Sequence, residues 1–259
     1  MRKLIVFTIF FLGLCFVYSN AAFSADPQKS KTYKYLSKLS DKKDFVDVQN
    51  EIQKESTQEK YLSDSEGVAA YGVWLRDVHF DPKKDLRYGF LYAKHMRDVA
   101  EKMPKKTAER LNKVAATAYF VSNLKLMNAI SRCDDVGVGL AARMVWSPKP
   151  SDYKKLYKQM DEGQQKNVFV IMSQMASNAV VAEPAEWVCL DGAGIMSRAM
   201  QDGAQTKETN KGNITNIEID TSDYVEFISD AEWSKKRYEN VVKLAEYLEL
   251  DIQIKPITK

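Results

Sequence analysis

Two widely separated cysteines are the feature that most limits how this chain can fold. The chain has three cysteines; Cys15 lies in an apolar N-terminal run, which leaves Cys133 and Cys189 for the rest of the sequence. In an oxidising compartment such a pair favours a disulfide. The bond would close a loop of about 57 residues, for which the chain-entropy model gives about 4 kcal/mol of stabilisation. The sequence therefore predicts that two distant segments meet at Cys133 and Cys189.

The two thiols also have a chemical interpretation, as a redox-active or nucleophilic pair. They lack the Cys-x-x-Cys spacing in which one thiol resolves the mixed disulfide of the other. Acidic neighbours of Cys189, namely Glu186 and Asp191, disfavour a thiolate there. A structural disulfide is the favoured interpretation, with two free buried thiols or an intermolecular bridge as alternatives.

The N-terminus has the three-part order of a secretory signal peptide. Arg2 and Lys3 precede an apolar run over 4–18, and small residues follow over 19–25. We expect a signal peptide over 1–24 and a periplasmic or secreted mature protein. A retained anchor is the alternative, although the run is shorter than the roughly 20 residues of a spanning helix. No later segment is apolar enough to predict a transmembrane helix.

The charge of the chain is nearly balanced. Without Arg2 and Lys3, the 38 basic residues become 36, against 35 acidic residues. A nucleic-acid-binding protein usually shows a basic excess or a clustered basic face. The composition therefore gives no support for a nucleic-acid partner.

Beyond the N-terminus, apolar residues recur with helical spacing. Phe45, Val48 and Ile52 mark one surface helix within 41–61. Residues 63–66 resemble a capping box with Ser63 as N-cap, and a long buried helix is predicted over 107–131. These patterns predict a mainly all-α fold, a helical bundle or an irregular antiparallel stack of about eight helices. We expect a single domain over 25–259, with 25–40 as a lead-in that can be flexible.

Two short segments have β-like patterns. Ile214, Ile217 and Ile219 form one run, and residues 250–254 alternate apolar and polar side chains with period two. Together they predict a small C-terminal β element, in which the two runs could pair with each other.

Two sets of residues are candidates for a binding site. His79 and His95, each near an aspartate, are weak candidates for metal ligands, since no helix-spaced ligand motif accompanies them. His79 stands one residue off the apolar face of its helix, so a polar surface or capping role is the favoured interpretation of this residue. Asp134, Asp135 and Asp191 would converge around the disulfide and could contact a cation or a basic partner. The competing interpretation, which we favour, is that these acids lie at helix N-termini, where the helix dipole stabilises negative charge.

The sequence contains no recognisable catalytic or cofactor motif. It has neither a Gly-x-Ser-x-Gly elbow nor a glycine-rich phosphate loop, so we expect no cofactor. We therefore expect a non-catalytic exported protein that binds another macromolecule, most simply a protein partner in the bacterial envelope or outside the cell. The alternative is a cell-envelope hydrolase that cleaves cell-wall glycan or peptide through scattered carboxylates. The oligomeric state is left open.

Overall fold

The computed structural model describes residues 26–81, 83–135, 139–147, 149–178, 186–190, 193–204, 206–211, 214–219 and 221–252. Over these residues the chain is mainly α-helical, which confirms the predicted fold class. The predicted signal peptide, 1–24, lies outside the described residues. Within the described part of the chain, no helix is both long enough and apolar enough to cross a membrane.

The described chain divides into two compact units, the first ending at Tyr119 and the second beginning at Phe120. The helices of the first unit are α1 (Lys31–Ser40), α2 (Phe45–Gln53), α3 (Glu55–Tyr61), α4 (Ser65–Phe80) and α5 (Arg87–Ala100). The boundary between the units falls inside α6 (Lys105–Ile130), close to the long helix predicted over 107–131. That 25–259 forms a single domain stays a prediction.

Side-chain caps explain where two helices of the first unit begin. The Asp44 carboxylate accepts a hydrogen bond from the backbone N of Asp47 at the start of α2. Asp64, one residue after the predicted cap Ser63, caps α4 by accepting from the backbone N of Gly67 at 2.6 Å. The predicted surface helix within 41–61 is split at Lys54, whose extended backbone separates α2 from α3. Because of breaks such as this one, the described chain has more helices than the eight or so that the sequence predicted, and they are shorter.

The predicted lead-in over 25–40 carries defined structure from residue 26 onward. A short 3-10 turn (Pro27–Lys29) precedes α1. The Asp77 carboxylate of α4 accepts hydrogen bonds from the Gln28 amide at 2.8 Å and from the Tyr33 hydroxyl at 2.7 Å. Burial, reinforced by Asp77, raises the pKa of Tyr33 to about 12. These contacts attach the lead-in to α4.

The described part of the second unit contains six further helices besides the end of α6. They are α7 (Leu140–Trp146), α8 (Pro150–Lys158), α9 (Glu162–Asn178), α10 (Glu186–Cys189), α11 (Ala193–Gln201) and α12 (Asp230–Tyr247), with a 3-10 turn at Ser222–Tyr224. Phe120 of α6 and Tyr157 of α8 are fully buried and meet edge to face, with ring centroids 5.9 Å apart. The Ser229 hydroxyl caps α12.

One antiparallel hairpin lies between α11 and α12. Strand β1 (Thr206–Lys211) pairs with β2 (Ile214–Ile219), from Thr206 opposite Ile219 to Lys211 opposite Ile214. The predicted C-terminal β element, in which the run at 214–219 meets the run at 250–254, is not supported. Residues 250–252 follow α12 without forming a strand, and 253–254 lie outside the described residues. The run at 214–219 instead pairs with its sequence neighbour, because a tight connection orders less chain than a distant pairing does.

Candidate functional site

Three segments of the second unit converge at the disulfide. The structure joins Cys133, three residues beyond α6, to Cys189, the last residue of α10, with the two Cα atoms 5.7 Å apart. Both side chains are buried. The residues before and after Cys133 also form a short bridge to the segment at 226–228. In it, the Asp134 N donates to the Glu226 carbonyl, and the Ile228 N donates to the Arg132 carbonyl. We call this region the disulfide junction.

Of the three acidic residues predicted at the junction, the structure describes Asp134 and Asp135. Asp135 accepts a hydrogen bond from the backbone N of Ile195 at 3.1 Å, in the first turn of α11. A Cβ atom at Gly194 would lie 2.6 Å from the Asp135 Oδ2, so glycine permits this close approach. Asp134 is exposed, and Asp191 lies outside the described residues. The contact of Asp135 agrees with the helix-terminus interpretation of that residue.

The two histidines lie in the aromatic interior of the first unit. His79 is buried on α4, with its ring 5.9 Å from that of Tyr92. The His95 ring on α5 meets Tyr71 edge to face at 5.0 Å, and its Nε2 is buried without a hydrogen-bond partner. Burial lowers the pKa of His95 to about 4. Among the described residues, no three His, Cys, Asp or Glu side chains group closely enough to hold a metal ion.

An exposed apolar surface lies beside the disulfide junction. Helix α11 buries Ile195 and Ala199, while Met196 and Met200, one position further along, are 38% and 63% exposed. We call these two side chains the methionine face. Arg198 connects α11 to the segment at 224–226, with its Nη1 3.4 Å from a Glu226 carboxylate oxygen. Phe227, the next residue, is 38% exposed. In the sequence, this face is indicated by Met196 and Met200, an apolar pair at helical spacing. Each lies one position after a residue of the buried pair, Ile195 and Ala199.

A second feature missed by the sequence interpretation surrounds Trp233 of α12. The guanidinium carbons of Arg132 and Arg237 lie 5.0 Å and 4.2 Å from the centroid of its ring. The indole N–H donates to the Asn128 carbonyl at 2.8 Å. Trp233 and Arg237 share a helix face at a spacing of four, which the sequence shows. Arg132 is about 100 positions away, and no local pattern could place it there.

A buried amide network lies about two helical turns beyond Trp233 on α12. The Asn240 side-chain amide donates to the Asn128 Oδ1 at 3.1 Å and to the Ser131 hydroxyl at 2.9 Å. Asn128 and Asn240 are both buried. Buried polar groups need such partners because an unpaired one is costly, so the network fixes how α12 lies against the end of α6.

Comparisons of the chain with protein-family models, with curated proteins and with solved structures found no match.

Proposed function

We propose that this is an exported protein that binds another protein, in the bacterial envelope or outside the cell, without catalysing a reaction. The observation that carries the proposal is the methionine face, Met196 and Met200 of α11. Methionine is flexible and polarisable, so it adapts to irregular apolar partner surfaces. Exposed apolar side chains indicate interaction sites when they are contiguous, and Met196 and Met200 lie one helical turn apart on α11.

The support beneath the methionine face is consistent with a binding surface. Ile195 and Ala199 anchor α11 in the interior, and Asp135 caps its first turn. The disulfide lies two residues before Asp135 along the chain. Because the first turn and the buried face of α11 are held, the two methionines can be presented to a partner with little ordering of backbone on binding.

Export is part of the proposal. It is supported by the signal-like sequence over 1–24 and by a disulfide that would be reduced in most cytosols. A periplasmic or secreted location would keep the Cys133–Cys189 bond oxidised.

Site-specific photo-crosslinking would test the binding surface. A photoreactive amino acid placed at Met200 of the full chain should yield a discrete adduct with one envelope or secreted protein. The same amino acid at Val170, which is 50% exposed on α9, is the matched control and should not yield that adduct. Met196→Glu with Met200→Glu should abolish retention of the captured protein, while Val170→Glu should not.

The hydrolase alternative has its own readout. The purified protein would be incubated with cell-wall sacculi, and soluble glycan and peptide fragments would be measured. Release of fragments, together with identical crosslinking at Met200 and Val170, would reverse the proposal in favour of the enzyme.

A further inference from the structure

The cluster of Arg132, Trp233 and Arg237 carries more positive charge than the described residues neutralise. Arg132 Nη1 lies 2.8 Å from Asp230 Oδ1, although the two groups are not aligned for a hydrogen bond. Arg237 makes no ion pair or hydrogen bond within the described part of the chain, and its Nε is buried without a partner. Among the described residues, the two guanidinium groups therefore share one carboxylate, that of Asp230, which leaves one positive charge unmatched.

The surroundings of Arg237 explain why that charge is costly. Stacking on Trp233 removes water from one face of the guanidinium. Burial lowers the pKa of Arg237, while Asp230 raises it and Arg132 lowers it. Arginine stays protonated in proteins, so the cost appears as an unpaired, partly desolvated charge. A bound anion would compensate Arg237 for its lost hydration and would offset the repulsion between the two arginines.

The cluster is open to solvent on the side of Asp230. The Asp230 side chain is 84% exposed, whereas the Arg132 side chain is 20% exposed. Trp233 and Arg237 are each partly exposed. A ligand approaching beside Asp230 would therefore reach the exposed parts of Trp233 and Arg237. The Arg132 guanidinium already pairs with a carboxylate, that of Asp230, so a carboxylate is a chemically suitable ligand group for this cluster.

We propose that Arg237, together with Trp233 and Arg132, forms a binding site for a carboxylate group of a ligand. The planar guanidinium fork matches a carboxylate with two parallel hydrogen bonds, and the indole supplies a flat apolar wall beside it. The carboxylate can belong to a small acid or to an acidic side chain of a polypeptide. This site does not depend on the methionine face, which lies on a different helix.

The indole N–H of Trp233 provides a direct probe. In the ¹⁵N-labelled protein, the NMR signal of the Trp233 indole N–H is assigned by comparison with the Trp233→Phe variant. The signal is then followed during titration with sodium acetate. Parallel titrations use sodium chloride at the same ionic strength, sodium phosphate, and an amidated peptide that contains glutamate. We expect a saturable shift with acetate that chloride does not produce. A similar shift with the peptide at lower concentration would identify a polypeptide as the source of the carboxylate, whereas tighter binding of acetate would identify a small acid.

Three variants separate binding from folding. Arg237→Gln should weaken acetate binding by about tenfold, because it removes a charge-assisted hydrogen-bond pair. Arg143→Gln, the same change at an exposed arginine of the same unit, should leave it unchanged. Asp230→Asn should tighten binding, because it frees Arg132 and removes the negative charge closest to the incoming carboxylate. A dispersed NMR spectrum confirms that each variant is folded.

Several results would overturn the assignment. These are a shift with acetate no larger than with chloride, a preference for phosphate over both carboxylates, or weaker acetate binding in Asp230→Asn than in the native chain. If Arg237→Gln fails to fold, the Asp230→Asn titration still decides the question, since that substitution is at an exposed position.

Discussion

The buried imidazole of His95 makes the stability of the first unit depend on pH. Its pKa is lowered from 6.5 to about 4 by burial, against smaller opposing effects from Asp98 and from a hydrogen bond with the Val68 backbone. In the unfolded chain the same group titrates near its ordinary value. At pH values between these two pKa values, the His95 imidazole is mostly protonated in the unfolded state and mostly neutral in the folded state. Stability from His95 is therefore fully present above about pH 6.5 and is lost as pH falls towards 4.

The size of the effect follows from the two pKa values of His95. A difference of about 2.5 units corresponds to about 3 kcal/mol, of which about 2 kcal/mol is lost between about pH 7 and pH 5. That loss is large against the 5–15 kcal/mol, roughly, by which a typical domain is stable. His95→Gln retains a polar side chain that does not titrate in this range, so the variant should lack this part of the loss.

Urea denaturation at both pH values would measure the effect in the native chain, in His95→Gln and in His79→Gln. Amide hydrogen exchange within α4 and α5 would report on the first unit separately. The native chain and His79→Gln, which both retain His95, should lose about 2 kcal/mol more than His95→Gln between the two pH values. An equal loss in all three proteins would refute the interpretation that His95 is held neutral by burial.

Three other substitutions test the second unit. Replacing Cys133 and Cys189 together by alanine opens a loop with a sequence separation of 56, so it should lower the free energy of unfolding, measured by denaturant titration, by up to about 4 kcal/mol. Mass spectrometry of the native, non-reduced protein should show the cross-linked peptide. Free thiols in that protein would contradict the disulfide. Asp135→Ala should cost about 1 kcal/mol by removing the cap of α11, whereas Asp134→Ala, at an exposed neighbour, should change stability by less than about 0.5 kcal/mol. Asn240→Ala should cost about 2 kcal/mol in thermal unfolding, because it leaves the two polar partners on and just beyond α6 without a donor; an unchanged midpoint would mean that this network does not stabilise the fold.

Local patterns were reliable where the physical cause acts within one or two helical turns. The spacing of Phe45, Val48 and Ile52 predicted α2, and all three side chains are buried. The chain-wide periodicity likewise predicted the long helix α6. The cap of α4 was misplaced by one residue, since Ser63, Asp64 and Ser65 all have side chains suited to capping and only the backbone geometry selects Asp64.

The errors concern contacts between residues far apart in the chain. The run at 214–219 was expected to meet the C-terminal run, but it forms a hairpin with β1. His79 was interpreted as a surface or capping residue, because it lies beside the apolar stripe of its helix. It is buried, since α5 covers that side of α4 with Tyr92. The pairing of 214–219 with β1 and the contact of His79 with Tyr92 could not be deduced from spacing, because packing between elements depends on how their faces fit.

The sequence by itself determined the helical class, the approximate extent of the long helix α6 and the pair of cysteines available for a bond. Each depends on side-chain chemistry or on periodicity over a few residues. Only the tertiary structure decided that Asp135 caps α11, that the His95 ring packs edge to face on Tyr71, and that Arg132 meets Trp233 and Arg237. These arrangements require segments about 25 to 100 residues apart to pack against each other. The energy that selects them comes from burial and polar pairing that no local pattern encodes.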